Sequence, residues 1–446
     1  MTDTSAIFPV LFAAPERQSW RAIASSLGTN ALAGFPANAF EELAVARSFV
    51  GRRQIILSDP AAIRHVLIEN ADNYRRTAAV GRLLGPVIGK GLFMAEGEDW
   101  RAQRRAAAPA FAPRTMPDVA GHAARAAERL IADLEARRGA AIDLFARLQL
   151  LALEVAAAAL FSFDITAEAP ELRSELQRYA DGIGRPGLLD FLLPRWLPAP
   201  GTRARRRWSR RWMTRVGEIL ATHRPGPPAD PPRDLYDMMA ATTADPAKLI
   251  EQSATMLAAG HETTAVALFW SAYLIASLPA VQERIAAEAA PLDLAPAGAA
   301  AALPRLRYTR AVVDEALRLY PPAFSIVRQA LSRDEAAGVP IPARGVVLIV
   351  PWVLHRHRLL WRDPDRFDPA RFLPDAEPPA RFSYLPFGAG PRACIGAQFA
   401  LSESVLVLAR LVQSFRLERG DAVPVQPMAL ITLQPERSPP FQLVRR

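Results

Sequence analysis

Cys394 is the only cysteine among the 446 residues, and this limits the chemical roles that it can have. A single cysteine cannot form an internal disulfide bond or supply a multi-cysteine zinc or iron–sulfur site. One thiolate can instead occupy an axial position of a haem iron, where its electron density favours cleavage of an O–O bond. The alternative is a buried thiol that acts only as a small hydrophobic side chain.

The residues around Cys394 favour the first of these roles. Phe387 can pack beside the sulfur, and Arg392 offers a fixed charge to a carboxylate. Together with Gly390 and Gly396 they match the pattern Phe-x-x-Gly-x-Arg-x-Cys-x-Gly. This pattern resembles the cysteine loop of the cytochrome P-450 superfamily, the haem-thiolate monooxygenases, in its soluble bacterial form. The resemblance implies that Cys394 is the metal ligand to haem b and that the other four residues surround the cofactor.

The same resemblance implies a fold and a domain organisation. The fold is mainly α (α+β): an α-rich triangular prism with a smaller β-rich region and haem between the long central helix and the cysteine loop. We expect a single domain over residues 1–446, of which about residues 1–30 form an N-terminal extension.

The pattern of apolar and helix-ending residues agrees with that fold class. Asp245 can cap a long helix that runs to about Leu278. Residues 53–58 and 346–350 are predicted strands, one towards each end of the chain. Residues 285–304 are rich in alanine and proline and are predicted to form a loop region.

Residues 259–264 carry a second motif, midway along the predicted long helix. Gly260 is unfavourable there by about 1 kcal/mol relative to alanine, and with a neighbouring threonine it marks a place where a helix can open locally. Glu262 and Thr263 place an acid beside an alcohol, which can relay protons through water. They resemble the family's acid–alcohol pair, which implies catalytic roles in proton delivery. The alternative is an ordinary charged residue beside a mid-helix threonine.

A third motif concerns structure rather than catalysis. Glu315 and Arg318 are three residues apart and therefore share one face of a predicted helix. Arg371 can supply a third member. The three resemble the family's Glu-x-x-Arg plus Pro-x-Arg-Phe triad, which implies that they fix the segment before the cysteine loop.

Further residues match family positions that meet the haem propionates. Trp100 and Arg104 share one face of a predicted helix, and Arg328 and Arg392 add two more cations. His355 falls near the same region and is a weaker candidate. For Arg104 alone, the alternative is a solvated helix face.

The substrate side is the least defined part of the sequence. Apolar candidates for the pocket are Ala258, Ala259, Phe324 and Ile326. The segment 188–198 is unusually apolar for a connection and falls where the family has a mobile cover over the substrate channel. With the basic run that follows, it is a candidate for peripheral membrane contact; the alternative is that its side chains fill the core.

The predicted function is insertion of one oxygen atom from O₂ into a lipophilic small molecule, usually as a hydroxylation; terpenoids, carotenoids and fatty acids are the candidate substrates. Because the sequence contains no flavin or ferredoxin domain, we expect electrons from ferredoxin and ferredoxin reductase, or from a flavodoxin-type donor. We also expect a monomer in the cytoplasm, since the N-terminal residues lack a signal peptide and a membrane anchor.

Two alternatives remain at this point. A hydrogen-peroxide-driven peroxygenase would share the thiolate, although family peroxygenases generally replace the acid–alcohol pair. The net charge of +9 and the arginine-rich, aromatic run at residues 202–212 would suit a nucleic-acid-binding protein. A helix with solvated arginines and inward-facing tryptophans explains the same run, and we expect no nucleic-acid partner.

Overall fold

The structure is a computed structural model in which residues 14–15, 20–49, 51–137, 140–194, 196–243 and 245–446 are described. The α-helices of these residues are α1 (Trp20–Thr29), α2 (Pro60–Arg64), α3 (Ala78–Ile88), α4 (Gly97–Ala107), α5 (Met116–Ala136), α6 (Leu144–Phe161), α7 (Ala169–Asp181), α8 (Leu188–Leu192), α9 (Thr202–His223), α10 (Leu235–Ala240), α11 (Pro246–Ala276), α12 (Pro279–Ala289), α13 (Ala299–Ala302), α14 (Arg307–Leu319), α15 (Pro351–Leu354) and α16 (Ala397–Ser414).

The strands are short and form small sheets. They are β1 (Ala44–Phe49), β2 (Arg52–Leu57), β3 (Tyr74–Arg75), β4 (Ile142–Asp143), β5 (Ile326–Ala330), β6 (Asp334–Ala336), β7 (Val339–Ile341), β8 (Val346–Ile349), β9 (Phe415–Arg419), β10 (Pro427–Ala429), β11 (Leu433–Pro435) and β12 (Pro440–Arg445). The largest sheet has the order β1-β2-β8-β5-β3 and so unites strands from both ends of the chain. Helices dominate and the strands form a smaller region, which confirms the predicted fold class.

The central helix begins and ends close to where the sequence predicts. The Asp245 side chain accepts a hydrogen bond from the Ala247 N–H at 3.0 Å and caps α11, with Pro246 in the first turn. The helix ends at Ala276, and Pro279 begins α12. One prediction nearby is wrong in part: within residues 285–304, α12 extends to Ala289 and α13 spans Ala299–Ala302, and only residues 290–298 between them form the expected loop. Alanine is a strong helix former, and this propensity outweighs the flanking prolines.

Helix α11 lies at the centre of the core and is buried on most of its faces. It packs against α6 so closely that a Cβ on Gly260 would lie 3.3 Å from the Cβ of Ala156. Trp270 stacks on Tyr320 of the loop after α14, with ring centroids 4.0 Å apart, and donates to the Leu433 carbonyl at 2.9 Å. The core therefore connects the central helix directly to the hairpin formed by β10 and β11.

One helix of the described residues, α6, is long and apolar enough to cross a membrane. About 67% of it is buried inside the protein. Its apolar surface is thus used mainly for packing against α5 and α11.

Candidate active site

A cavity of about 1310 Å³ lies between α11, the cysteine loop, β5 and α3. Typical ligand pockets measure about 300–1,000 Å³, so this cavity has room for more than one drug-sized molecule. Most of its lining surface is apolar, but nine arginines, Glu262 and His261 also line it. Trp100, Arg104, Arg328, Phe387, Arg392, Cys394, Glu262, Thr263, Ala258, Ala259, Phe324 and Ile326 all line it.

Cys394 is accessible, but it faces the cavity and not the outer surface. The loop is held by its own backbone, since the Cys394 N–H donates to the Phe387 carbonyl at 2.8 Å. Gly390 has φ of 73°, and a Cβ there would lie 2.2 Å from the Leu67 carbonyl oxygen, so only glycine fits. Burial raises the pKa of the Cys394 thiol, while a hydrogen bond from the Gly396 backbone and the charge of Arg104 lower it. A cation bound at the sulfur would lower this pKa and favour the thiolate.

Three guanidinium groups converge near the cysteine loop. Burial, and then repulsion from Arg328 and Arg392, lowers the pKa of Arg76 to about 9. Burial, and then repulsion from Arg392, lowers the pKa of Arg328 to about 10. Glu96 accepts from Arg392 at 2.6 Å and lies 3.6 Å from Arg76. Arg392 also lies 4.5 Å from the ring centroid of Trp100. One buried and two partly buried cations around one carboxylate favour a further anionic group.

Arg104 is oriented differently from the other predicted arginines. Its Nη1 donates to the Ala393 carbonyl at 3.0 Å, so it holds the cysteine loop directly. The sequence reasoning overlooked Arg76, which lies just after β3 and has no recognisable spacing to the other members. Its approach to Arg328 depends on the pairing of β3 with β5, which brings together residues about 250 positions apart.

The Glu262 side chain and the Thr263 side chain have separate partners. Glu262 Oε1 accepts from the Thr432 hydroxyl at 2.7 Å and also from the Gln434 amide. Burial raises the pKa of Glu262, and the Thr432 hydrogen bond lowers it. The Thr263 hydroxyl donates to the Ala259 carbonyl at 2.8 Å. The expected local opening of α11 is absent, because the helix is continuous from Pro246 to Ala276 and Gly260 is explained by its close contact with α6.

The comparisons with known proteins identify the family. Residues 38–441 match the family model described as Cytochrome P450. The chain is 32% identical over 405 residues to "Cyclooctatin synthase" of Streptomyces melanosporofaciens, covering 88% of this chain and 87% of that protein. It is 34% identical over 340 residues to "Cyclooctat-9-en-7-ol 5-monooxygenase" of the same organism, covering 74% of this chain and 73% of that protein. It is 32% identical over 375 residues to "Pentalenene oxygenase" of Streptomyces avermitilis, covering 81% of each.

The chain belongs to the cytochrome P450 family. Members bind haem b, and this P450 is a haem-thiolate monooxygenase that inserts one oxygen atom into a lipophilic substrate. The site fits that cofactor. A single thiol faces the cavity, and apolar side chains form much of the cavity wall. The cations Arg76, Arg328 and Arg392, of which Arg76 is buried and the others are partly buried, lie where a dianionic ligand would relieve their mutual repulsion.

The Glu315, Arg318 and Arg371 side chains come together in this P450. Arg318 binds Glu315 through two hydrogen bonds of 2.6 and 2.8 Å, and neither side chain is exposed. Arg371 Nε lies 3.6 Å from Glu315 Oε1, and its Nη2 donates to the Asp363 carbonyl at 2.9 Å. The triad lies outside the cavity lining, so its contribution is to hold the backbone before the cysteine loop.

His355 does not belong to the propionate site, contrary to the weaker sequence expectation. It is fully buried, it does not line the cavity, and its Nε2 accepts from the Leu385 N–H at 2.8 Å. Nδ1 lies 3.1 Å from the Arg318 carbonyl, which makes this nitrogen the protonated one. Burial, and then the charge of Arg318, lowers the pKa of His355 to about 3. The ring is therefore a neutral link between α14 and the segment that leads to the cysteine loop.

The arginine-rich run forms part of α9, as the structural interpretation predicted. Trp208 and Trp212 are 6% and 1% exposed, so their rings are unavailable for stacking on bases. Most arginines of the run are exposed, but Arg205 is buried and pairs with Asp190 at 2.6 Å. The segment 188–198 begins with α8 and then continues without regular structure; within it, Arg195 lies outside the described residues. Trp196 is 80% exposed, and its side chain also borders the cavity.

Proposed function

We propose that this P450 hydroxylates a terpenoid. The observation that carries this proposal is the cavity of about 1310 Å³, whose lining surface is mainly apolar. Support comes from the relatives, whose printed names refer to cyclooctatin, cyclooctat-9-en-7-ol and pentalenene. Ala258, Ala259, Phe324 and Ile326 would contact such a substrate through apolar surface alone. The test is a panel of terpenoids, carotenoids and fatty acids, screened for a spin-state shift of the haem absorption. A shift given by carotenoids or fatty acids and by no terpenoid would replace this assignment.

We propose that Cys394 is the proximal ligand and that Arg76, Arg328 and Arg392 bind the propionates, with Trp100, Phe387 and Gly396 packed around the cofactor. Haem, when bound, supplies the iron at which O₂ is activated. Cys394→Ala should abolish the red-shifted carbon monoxide band that is characteristic of thiolate ligation. Arg328→Met should keep that band but weaken haem retention by about tenfold, since one charge-assisted contact contributes about 1.5–3 kcal/mol. The band surviving in the alanine variant would show that another group is the ligand.

We propose that Glu262 and Thr263 deliver protons during O₂ activation. Burial raises the pKa of the Glu262 carboxyl, which favours its protonated, proton-donating form over that of an exposed carboxyl. Thr263→Ala should still bind substrate but divert reducing equivalents to hydrogen peroxide. Glu262→Gln should slow turnover, because an amide does not relay a proton. A chain that works better with hydrogen peroxide than with O₂ and reductant would instead be the peroxygenase.

We propose that electrons come from a ferredoxin with its reductase, or from a flavodoxin-type donor, that docks on α4. Arg101 and Arg105 are exposed on this helix, which also carries the cavity-lining Trp100 and Arg104. An acidic partner would be attracted there, with a rate that falls as salt rises. Arg101→Glu/Arg105→Glu should slow reduction and flatten the salt dependence. A control reversal of Arg206 and Arg210, which are exposed on α9, should leave both unchanged.

We infer that the chain is a single domain over residues 1–446 that works as a cytoplasmic monomer. Support comes from the five-stranded sheet, which unites β1 and β8, and from one continuous core cluster between Leu32 and Phe441. Within the expected extension of residues 1–30, α1 is packed against the body, because Ile23 is 5% exposed and lines the cavity. Limited proteolysis would test the single domain, light scattering the monomer and cell fractionation the location.

A further inference from the structure

A second, much smaller cavity lies between the end of α7 and the hairpin of β10 and β11. Its volume is about 10 Å³, which is room for about one water molecule. We call it the seam, and it is lined by Ala180, Asp181, Met428, Leu430, Ile431, Thr432 and Gln434. Leu430, Ile431 and Thr432 also line the large cavity, so the hairpin tip is the partition between the two spaces.

The inner end of the seam is in contact with Glu262. The Thr432 hydroxyl donates to Glu262 Oε1 at 2.7 Å, and the Gln434 amide donates to the same oxygen. Both donors line the seam, whereas Glu262 lines the large cavity. The hairpin therefore connects the acid of the large cavity to the small space behind it, whose polar lining residues are Asp181, Thr432 and Gln434.

Asp181, the last residue of α7, also lines the seam. Asp181 is exposed, and its Oδ2 accepts from the Gln177 amide at 2.8 Å. This residue is thus exposed to solvent and also lines the seam. An exposed carboxylate exchanges protons readily with water, which makes Asp181 suited to collect them.

We propose that protons reach Glu262 from solvent through the seam, with Asp181 as the entry group, the Thr432 hydroxyl as the relay and Gln434 as a positioning residue. The inference rests on the proposed role of Glu262 in proton delivery. In the transfer step, the Thr432 O–H proton moves to Glu262 Oε1 while Thr432 Oγ1 takes a proton from a seam water. That water regains a proton from Asp181, which is reprotonated by solvent, so one proton enters and no electron moves.

A proton route behind the hairpin could supply Glu262 even when a substrate fills the large cavity. A lipophilic substrate excludes water from that cavity, so polar side chains of its lining lose the waters that could link them to solvent. The seam remains available because Thr432 separates it from the substrate space. Gln434 cannot relay a proton, but its amide holds the carboxylate in line with the Thr432 hydroxyl.

The charges around Glu262 agree with a donor role. Burial raises the pKa of Glu262, the Thr432 hydrogen bond lowers it, and the nearby charge of Asp181 raises it. His261, its neighbour on α11, is neutral because burial lowers its pKa to about 4. The hairpin contributes only the uncharged Thr432 and Gln434 at this contact.

The roles of the relay hydroxyl and of the entry carboxylate can be tested separately in the haem-loaded protein, with the variants Thr432→Val, Thr432→Ser and Asp181→Asn. Thr432→Val keeps the side-chain shape but removes the hydroxyl, so turnover should fall about tenfold or more and more peroxide should form. Thr432→Ser should restore both. Asp181→Asn should slow turnover less, since water can replace the entry group. Glu175→Gln removes a carboxylate from the same helix, away from both cavities, and should behave as wild type.

A readout independent of turnover is the infrared titration of the Glu262 carboxyl, identified by its loss in Glu262→Gln. Thr432→Val should raise the pKa of Glu262, Thr432→Ser should leave it unchanged, and Asp181→Asn should lower it. Wild-type turnover and an unchanged pKa in Thr432→Val, with slow turnover in Glu262→Gln, would reject the seam and retain Glu262 as the acid. Wild-type turnover in Glu262→Gln as well would reject the proposed role of Glu262 itself.

Discussion

Two stretches of irregular backbone in this P450 are held by arginine side chains in very different surroundings. Before the cysteine loop, Arg318 donates to the carbonyls of His355, Pro364 and Arg366 at 2.6–2.8 Å. Its charge is balanced by Glu315, and both side chains are fully buried. We call this set of contacts the inner clamp.

The connection from α7 to α9 is held from three sides. Arg52 of β2 donates to the Phe191 and Leu192 carbonyls, and Arg82 of α3 donates to the carbonyls of four residues between Asp190 and Leu197. Arg205 of α9 donates to two further carbonyls and to the Asp190 carboxylate. We call this set the outer clamp. It leaves apolar side chains exposed, with Leu189 42% and Trp196 80% accessible.

The difference lies in what replaces the bonds when each clamp breaks. Opening the inner clamp would leave a buried charge without a partner, which costs about 3–5 kcal/mol. Opening the Arg82 part of the outer clamp exposes carbonyls and a guanidinium that water can solvate, so the net loss per hydrogen bond is about 0.5–1.5 kcal/mol. We therefore expect the inner clamp to stay closed, and we propose that the Arg82 part of the outer clamp opens to admit a substrate past Phe191 and Trp196, which border the cavity. The Arg205–Asp190 pair of the outer clamp is itself buried, and we expect it to stay closed.

The largest effect is expected from breaking the inner clamp. Glu315→Gln leaves the Arg318 charge buried and should lower the free energy of unfolding by about 3–5 kcal/mol. Denaturant titration of the haem-loaded protein measures this loss. Glu98→Gln, which breaks an exposed pair with Arg101, is the matched control and should change stability by less than about 1 kcal/mol. Equal small losses in both variants would remove the distinction between the clamps.

A smaller effect, on rates rather than stability, is expected from the outer clamp. Arg82→Met removes four carbonyl contacts from the connection while keeping much of the apolar stem. Substrate association and dissociation, followed by stopped-flow of the spin-state shift, should both accelerate several-fold. Unchanged rates with a lowered stability would show that this connection is a fixed wall of the cavity.

The inner clamp could be predicted from the sequence, and the outer clamp could not. Glu315 and Arg318 are three residues apart, and the cysteine loop is a continuous stretch. Each of these two features can therefore be recognised from residues that are close in the sequence. Arg82 contacts a connection more than 100 residues away and has no spacing that marks it. Predicting such contacts requires knowing which strands and helices are neighbours.

The same reasoning explains the corrections at the site. Gly260 suggested a local opening of α11, but the sequence could not show that α6 approaches closely at that point. His355 lies near the predicted propionate region in sequence, yet its side chain turns to the Leu385 N–H. Thr432 was not predicted because its hydroxyl meets Glu262 across 170 residues. The roles of residues could be predicted where their partners are close in the sequence. They could not be predicted where the partner belongs to a distant helix or strand.

The smallest effect is expected at the exposed tip of the outer clamp. We propose that Leu189 and Trp196, beside the exposed arginines of α9, contact an anionic lipid surface. Leu189→Ser/Trp196→Ser removes two apolar side chains. Because each contributes at most about 1.5–3 kcal/mol when fully buried and a surface contact buries only part of it, partitioning onto anionic vesicles should fall about two- to threefold. Leu359→Ser, at a side chain that is 69% exposed in another part of the surface, is the control and should bind vesicles as wild type does.

Because Trp196 also borders the cavity, substrate affinity should weaken in the double variant, while the carbon monoxide spectrum stays intact. Vesicle binding equal to wild type would mean that these side chains only cover the cavity entrance, since their exposure would then have no lipid partner.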